Sequence, residues 1–444
     1  MAVRTISPAE LDQPLLPLAE ALRIVHDTIV PLGVVETVGL AHALGRVLTV
    51  ELRATQDVPP APTSTMDGWA LCAADSGTPL AVADTWSGGG AVRIATGQAL
   101  PPGTDAVVPW EDANQVGDKL TVPATAIGRS VRPAGEDVVA GQRVLASATP
   151  LGPIELGLLG VVGVTRVQVA ARPRVALATS GDEVVTSAVL GPGQVYDGDM
   201  PMLRALVASA GADVVEEAHL PDTLEATTKW LQHAATKADL VITCGGASVG
   251  ERDWARSALN DVGKQLFWRI ALRPGKPIAF GTLRDTPVFV LPGNPASVLT
   301  CTHAFVLPAL RLLQGADPSH RIQKATLHTD AVNKGRRTYM CGIRVTSGRA
   351  TPADARSSGS LSQLVGIDGF AAIPPGGLQR ERSSISSSSA DGHTPTIRRC
   401  QGSCRPVHRY IRRNNRLSRA RICDCALRRS LCAGVVILQR HGGR

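Results

Sequence analysis

Four short segments hold most of the side chains able to do chemistry. An apolar run ending at Thr179 is followed by Ser180, Gly181, Asp182 and Glu183, and a second run leads to Asp222. A third, ending at Cys244, opens into a glycine-rich stretch that includes Gly245, Gly246, Ser248 and Gly250 before Asp253, and a fourth gives way to Pro292, Gly293, Asn294, Pro295, Ala296 and Ser297. Glycines let backbone N–H groups approach phosphate oxygens closely, and a helix N-terminus just beyond adds a favourable dipole. Carboxylates offer the hard oxygen ligands that Mg²⁺ prefers. Arg273 and Lys276, in RPGKP, add cations suited to an oxyanion. Each feature also has a plainer reading. The GGxxxG run is a tight turn, Asp222 with Glu225 three residues on is a helix N-cap, Asp253 starts another helix, Glu183 is solvated, and the two cations are a surface pair. Neither the P-loop pattern nor the dinucleotide G-x-G-x-x-G occurs, which disfavours an ordinary P-loop kinase or Rossmann dehydrogenase.

The elements that must position these residues tip the balance towards chemistry. From Arg172 onward, RVALAT reads as a buried strand, ADVVEEAHL as a strand and ADLVITC as an apolar strand, and DMPMLRALVASAG, DTLEATTKWLQHAATK and DWARSALNDVG read as helices between and after them. FWRIAL, PIAFGTL and PVFVLPG follow as strands, and residues 294–315 as one long helix. Alternation of this kind predicts a parallel sheet covered on both faces, with ligands bound beyond the carboxyl ends of the strands. The acids and glycines all fall in those loops. The expected organisation is multidomain α/β: residues 1–171 as two interleaved, elongated, β-rich subdomains, 172–316 as the α/β domain, 320–377 as a small and incomplete β domain, and 378–444 as a basic low-complexity tail. Near the N-terminus, Leu18, Leu22, Val25 and Ile29 recur at helical spacing.

Composition narrows the function classes. The chain has 444 residues, 44% hydrophobic and 19% charged, with no run of about 18 apolar residues that would call for a membrane. Nothing in residues 1–22 resembles a secretory signal. Aromatics are only 3%, too few for a surface that stacks bases, so no specific nucleic-acid partner is expected. The formal charge of +8 belongs to the tail: residues 378–444 contain fifteen Arg, no Lys and three acids (Glu381, Asp391, Asp424), a net of +12 that leaves −4 for the rest. The dispersed Cys72, Cys244, Cys301 and Cys341 fit a reducing cytosol.

In combination the segments resemble a known family. TSTMDGWAL (63–71), ATGQALPPGTDAVV (95–108), RPAGEDV (132–138), TSGDEVV (179–185), TCGGASVGERDW (243–254), LRPGKPIAFG (272–281) and LPGNPASV (291–298) resemble, in order and spacing, the molybdopterin molybdenumtransferases. These are the molybdenum insertases that include the C-terminal domain of gephyrin. The resemblance implies insertion of molybdate into the dithiolene of adenylylated molybdopterin, with release of AMP and assistance from Mg²⁺. Carried over motif by motif, it implies catalytic positions at Asp67, Thr96, Glu183, Asp222, Asp253, Pro292 and Pro295. It places the pterin phosphate at Gly245, Gly246, Ser248 and Gly250, and the oxyanion at Arg273, Lys276, Ser297, Arg337 and Ser358. Glu183, Asp222 and Asp253 are the candidate Mg²⁺ ligands, with the choice among them open. Arg273 stands where the family usually carries Lys, which keeps charge but changes donor geometry. The resemblance further implies a cytoplasmic, elongated four-domain homodimer in which Asp67 serves the neighbouring subunit's site, with a molybdopterin adenylyltransferase as upstream partner. The competing class is a catalytically impaired molybdopterin-binding or scaffolding homologue, which has no need of acids at 67, 183, 222 and 253.

The tail departs from the family pattern, which ends the β domain with a further strand. Its Arg, Ser and Cys content is what out-of-frame translation of a GC-rich gene gives, and it is expected to be disordered. The alternatives are a disordered basic arm that is native to the protein and a zinc module on Cys400, Cys404, Cys423 and Cys425 with His393, His408 and His441, whose cysteine spacings are not the usual paired C-x2-C.

Overall fold

The computed structural model describes residues 13–186, 189–247, 253–319, 322–353 and 359–379, and three short strands at Tyr410–Arg413, Arg416–Arg419 and Val435–Gln439. The helix expected near the N-terminus, α1 (Leu18–Thr28), buries Ala21 and Val25 on its apolar face. Strand β1 (Val35–Gly39) then pairs antiparallel with β8 (Arg166–Ala170), bracketing the chain between them. Inside that bracket lies a six-stranded sheet of β2 (Gly68–Leu71), β3 (Leu80–Ala83), β4 (Ala91–Ile94), β5 (Ala106–Pro109), β6 (Asn114–Val116) and β7 (Lys119–Thr121), in the order β5-β2-β4-β3-β7-β6. The sharp turn at Asp67 and Gly68 reflects close packing: a Cβ on Gly68 would run into the Val108 carbonyl of β5.

The α/β unit is built on β9 (Arg174–Ser180), β10 (Asp213–Leu220), β11 (Leu240–Cys244), β12 (Lys264–Trp268), β14 (Ala279–Leu283) and β15 (Thr286–Leu291), ordered β10-β9-β11-β15-β14-β12. The first four are parallel, as expected from strands joined through helices α3 (Asp199–Ser209), α4 (Leu224–Lys237) and α5 (Trp254–Val262). β14 alone runs antiparallel to both of its neighbours, β15 and β12, so the sheet is mixed rather than wholly parallel. The cause is local: only Arg284 and Asp285 separate β14 from β15, and Arg284 takes a positive φ of 57°, which makes a hairpin and leaves no crossover.

Alternate residues of each strand serve opposite faces. Val175, Leu177, Leu240, Ile242, Phe280 and Phe289 pack with α1, α3 and the C-terminal helix, whereas Ala176, Ala178, Val241, Val288 and Val290 pack with α4 and α5. That C-terminal helix, α6 (Pro295–Leu313), is not uniform, because its turn at Thr302–Val306 is π-helical just before Pro308. Proline removes one N–H and its ring crowds the preceding turn, and a π turn accommodates both. Contrary to the sequence reading, α6 is long and apolar enough to cross a membrane, yet 89% of that window is buried inside the protein, as in a core helix.

The C-terminal sheet corrects the expectation of an incomplete domain. β13 (Leu272–Arg273) adds to β17 (Thr338–Thr346), which pairs with β18 (Arg349–Ala353) and with β19 (Gly369–Ile373). β16 (Ile322–Leu327) pairs with β18, and β20 (Val435–Gln439), from within the basic tail, lies antiparallel to both β16 and β19. The ring β17-β18-β16-β20-β19 therefore closes on itself. Closure removes two open strand edges, and VVILQ, with four aliphatic residues in a row, suits such a slot. The rest of the tail, including the cysteines of the zinc alternative, lies outside the described residues apart from the hairpin Tyr410–Arg413 with Arg416–Arg419.

Candidate active site

Parallel register levels the ends of the central strands. Thr179 of β9 stands opposite His219 of β10 and Cys244 of β11, and Cys244 stands opposite Leu291 of β15. The loops that follow therefore meet at one edge. Gly245, at φ 97°, donates its N–H to the Leu291 carbonyl at 3.1 Å, and a Cβ there would sit 2.5 Å from Ser180 Oγ. On its other side, Gly245 Cα lies 3.4 Å from where Gly293 would carry a Cβ. Only glycine allows this three-way approach. The Gly246 carbonyl accepts the Arg256 N–H at 3.1 Å, seating the loop on the first turn of α5. The expected anion cradle is thus corrected in one respect: the Gly245 amide is already occupied inside the protein. Ser248 and Gly250 lie outside the described residues, as does Ser358.

The acids fall in these loops, with roles that differ from simple helix capping. Asp222 is not the N-cap of α4. Thr223 is, its hydroxyl accepting from the Ala226 N–H at 3.3 Å. The Asp222 carboxylate instead accepts the Asp182 N–H at 3.2 Å while its own N–H donates to Asp182 at 3.3 Å, which ties the loops after β9 and β10 together. Asp253 does occupy the N-cap position of α5 but makes no side-chain capping bond. The exposed Glu183 folds its carboxylate back over Gly181. Among the described residues no group of three His, Cys, Asp or Glu is placed to hold a metal ion, so Glu183, Asp222 and Asp253 do not form a ready-made cage. Pro295 is the first residue of α6, where a missing N–H costs nothing, and the Pro292 carbonyl lies 3.5 Å from the Cys244 thiol. Ser297, on the same turn, is only 3% exposed.

Cations gather on the loop between β12 and β14. Burial, with Arg269 and Arg337 nearby, lowers the Lys276 ammonium below its ordinary pKa, and burial with Arg273 does the same to Arg337. Arg337 donates to the Leu272 carbonyl at 3.2 Å, and the Arg273 guanidinium lies 4.9 Å from the Tyr339 ring centroid. Lys276 and Arg337 thus stay charged at a cost that their cationic neighbours raise, and a bound oxyanion relieves it. Arg269 is a member that the sequence reading missed, although its spacing of four residues from Arg273 was visible.

On the N-terminal sheet, Asp67 and Thr96 are brought together: the Thr96 N–H donates to Asp67 Oδ1 at 2.7 Å. That bond, with help from the Thr96 hydroxyl, holds the exposed Asp67 carboxyl below its usual range. Two further acids escaped the sequence reading. Asp197 Oδ1 accepts the N–H groups of Asp199 and Met200 at the start of α3, and its Oδ2 accepts from the Thr179 hydroxyl. Asp199 Oδ2 accepts from the Cys244 thiol at 3.1 Å. Their signal was a D-x-D step just before an apolar helix.

A molybdopterin-binding α/β unit with an appended N-terminal region is the class this fold and crevice define. Residues 16–163 match the MoeA N-terminal region (domain I and II), and residues 176–312 match the probable molybdopterin binding domain. The chain is 35% identical to the molybdopterin molybdenumtransferase of Haemophilus influenzae over 295 residues, covering 63% of this chain and 73% of that one. With molybdopterin molybdenumtransferase 2 of Mycobacterium tuberculosis it shares 33% identity over 335 residues, 69% of this chain and 82% of the relative. The crystal structure of a molybdopterin biosynthesis moeA protein from Pyrococcus horikoshii OT3 superposes with a TM-score of 0.71 at 27% identity, covering 83% of this chain and 98% of that one. The chain belongs to the molybdopterin molybdenumtransferase family, a family of transferases in molybdenum cofactor biosynthesis.

Proposed function

We infer that this chain inserts molybdate into adenylylated molybdopterin, cleaving the adenylate to release AMP. The observation that carries the reading is the junction of Ser180, Gly245 and Gly293, which gathers three strand-end loops into one crevice flanked by acids. Cleavage of a phosphoanhydride needs positioning and charge neutralisation more than covalent help. In this reading the amides beyond Gly245 hold the terminal phosphate of the pterin, and the loop carboxylates of Glu183, Asp222 and Asp253 face the anhydride. The cluster of Lys276, Arg273, Arg337 and Arg269 draws molybdate towards the dithiolene. Mg²⁺ commonly binds through one or two carboxylates together with substrate phosphates, which fits a site without a three-acid cage. Glu183, Asp222 or Asp253 would hold it, and it would supply charge neutralisation for cleavage of the anhydride.

The homodimer, with Asp67 serving the neighbouring site, the cytoplasmic location and an adenylyltransferase as supplier of the substrate belong to the same proposal. So do Ser248, Gly250 and Ser358 as ligand contacts. The deciding experiment measures AMP release from adenylylated molybdopterin with molybdate and Mg²⁺. Molybdate-dependent release is expected, and a folded protein that releases none would leave the scaffolding class standing.

A further inference from the structure

Beneath the crevice lies an acid that the reaction as described does not use. Asp199, the first residue of α3, is 8% exposed, and its Oδ1 is buried with no hydrogen-bond partner among the described residues. Its Oδ2 receives the Cys244 thiol, which also lies 3.5 Å from the Pro292 carbonyl. Cys244 ends β11 immediately before Gly245, and Pro292 opens the loop after β15. One carboxyl thus reaches, through one thiol, the two loops that Gly245 and Gly293 bring together. A carboxylate with one oxygen buried and unpaired is costly, and a neutral carboxyl in the same place costs less.

Resting on the insertase reading, we propose that Asp199 is a positioning residue for the anion crevice, whose carboxyl fixes the Cys244 thiol and so sets the spacing of the glycine loop against the PGNP turn. The groups that face it are Asp197 in the same turn and Cys244 on β11, with Cys301 of α6 near that thiol. None of these is a cation, and only the thiol bond favours ionisation. Burial pushes the Asp199 carboxyl up to about 6, with the neighbouring Asp197 adding to the rise and the thiol bond opposing it, and burial holds the Cys244 thiol protonated as the donor. Ionisation above that pH puts a second negative charge beside Asp197, under loops that must accept anions.

The test compares the wild type with Asp199→Asn, which keeps the shape and an acceptor, and Asp199→Ala, which keeps neither. Infrared difference spectra follow the carboxylic C=O band and the Cys244 S–H stretch between pH 5 and 8. Steady-state AMP release over the same range gives KM for molybdate. A C=O band that titrates near 6 in the wild type and is missing from the Asn variant is expected, with the S–H stretch displaced only in the Ala variant. KM should rise about threefold or more with pH in the wild type and stay flat in the Asn variant, with kcat little changed in either. The Ala variant should show a raised KM at every pH. No titrating band assignable to Asp199, an S–H stretch indifferent to the Ala substitution, or parallel KM profiles in wild type and Asn would each overturn the proposal. The infrared readout does not depend on turnover, so a wild type that releases no AMP defeats the insertase reading separately.

Discussion

Asp67 and Asp199 are the same side chain in two regions of the molecule, and the protein moves them in opposite directions. Asp67 sits exposed at the edge of the N-terminal sheet, where the Thr96 N–H and hydroxyl stabilise its charge. Asp199 sits under the α/β crevice, where burial destabilises charge and a single weak thiol donor compensates only in part. The difference teaches that the number of N–H or O–H donors and access to water, rather than residue type, decide which acid is ready to act as an anion. Asp67 is equipped to meet a ligand as a carboxylate. Asp199 is equipped to hold a framework.

The largest expected effect concerns the functional side of that contrast. Asp67→Ala and Asp253→Ala should each lower AMP release by about 10²-fold, while thermal unfolding barely moves, because neither side chain caps a helix or fills a core. If Asp67 serves the neighbouring subunit, mixing the two inactive variants and allowing subunit exchange restores part of the activity. Verified exchange with no recovery would place both acids in one chain's site.

The next effect is on stability and belongs to Asp199. Its folded pKa of about 6 lies above the 3.8 of an unperturbed aspartate, so the stability it confers is complete below about 3.8 and is lost as pH rises through about 6. The loss should amount to roughly 2–3 kcal/mol. Chemical denaturation of wild type and Asp199→Asn between pH 4 and 8 should show the Asn variant gaining on the wild type across that window. Parallel curves would mean that the carboxyl is not held neutral.

A smaller change is expected from removing residues 378–444, since β20 closes the C-terminal ring and its loss reopens the edges of β16 and β19. The C-terminal sheet should then unfold earlier by calorimetry, leaving the two aspartates and the crevice as they were. Truncation should also end salt-sensitive binding to polyanions, which a net charge of +12 supports. A truncated chain with unchanged unfolding would show that β20 adds nothing to the ring.

The smallest effect tests the Asp67 side directly. A depressed carboxyl contributes stability that is present above its unfolded pKa and lost as pH falls through the folded one, so the Asp67 contribution disappears below about 4. Thr96→Ala removes the hydroxyl but keeps the N–H. It should move the acid limb of the AMP-release profile to slightly higher pH, with Thr96→Ser restoring it. An unmoved limb would leave the backbone N–H as the only donor that matters.

The loops at the sheet edge were legible because their residue types are rare in combination: acids, glycines and prolines directly after apolar runs. Helices α3, α4 and α5 and the strands between them followed from periodicity. Less legible was anything that depends on what a side chain meets. Asp222 looked like a cap by its spacing to Glu225, but Thr223, one residue on, takes that position and frees Asp222 to join two loops. β20 is hidden in the composition of the 67-residue tail, whose arginines mask a run of four aliphatic residues.

By itself the sequence determined which residues stand at strand ends, because local periodicity and glycine or proline punctuation are properties of neighbours along the chain. It also determined the family, because seven motifs keep their order and spacing. Only the tertiary structure decided that the Gly245 amide is spent on Leu291, that Arg269 joins the cation cluster, that a tail segment closes the C-terminal ring, and that Asp199 is buried while Asp67 is not. Each of these depends on contacts between segments distant in sequence, and on the water those contacts exclude, which no local pattern records.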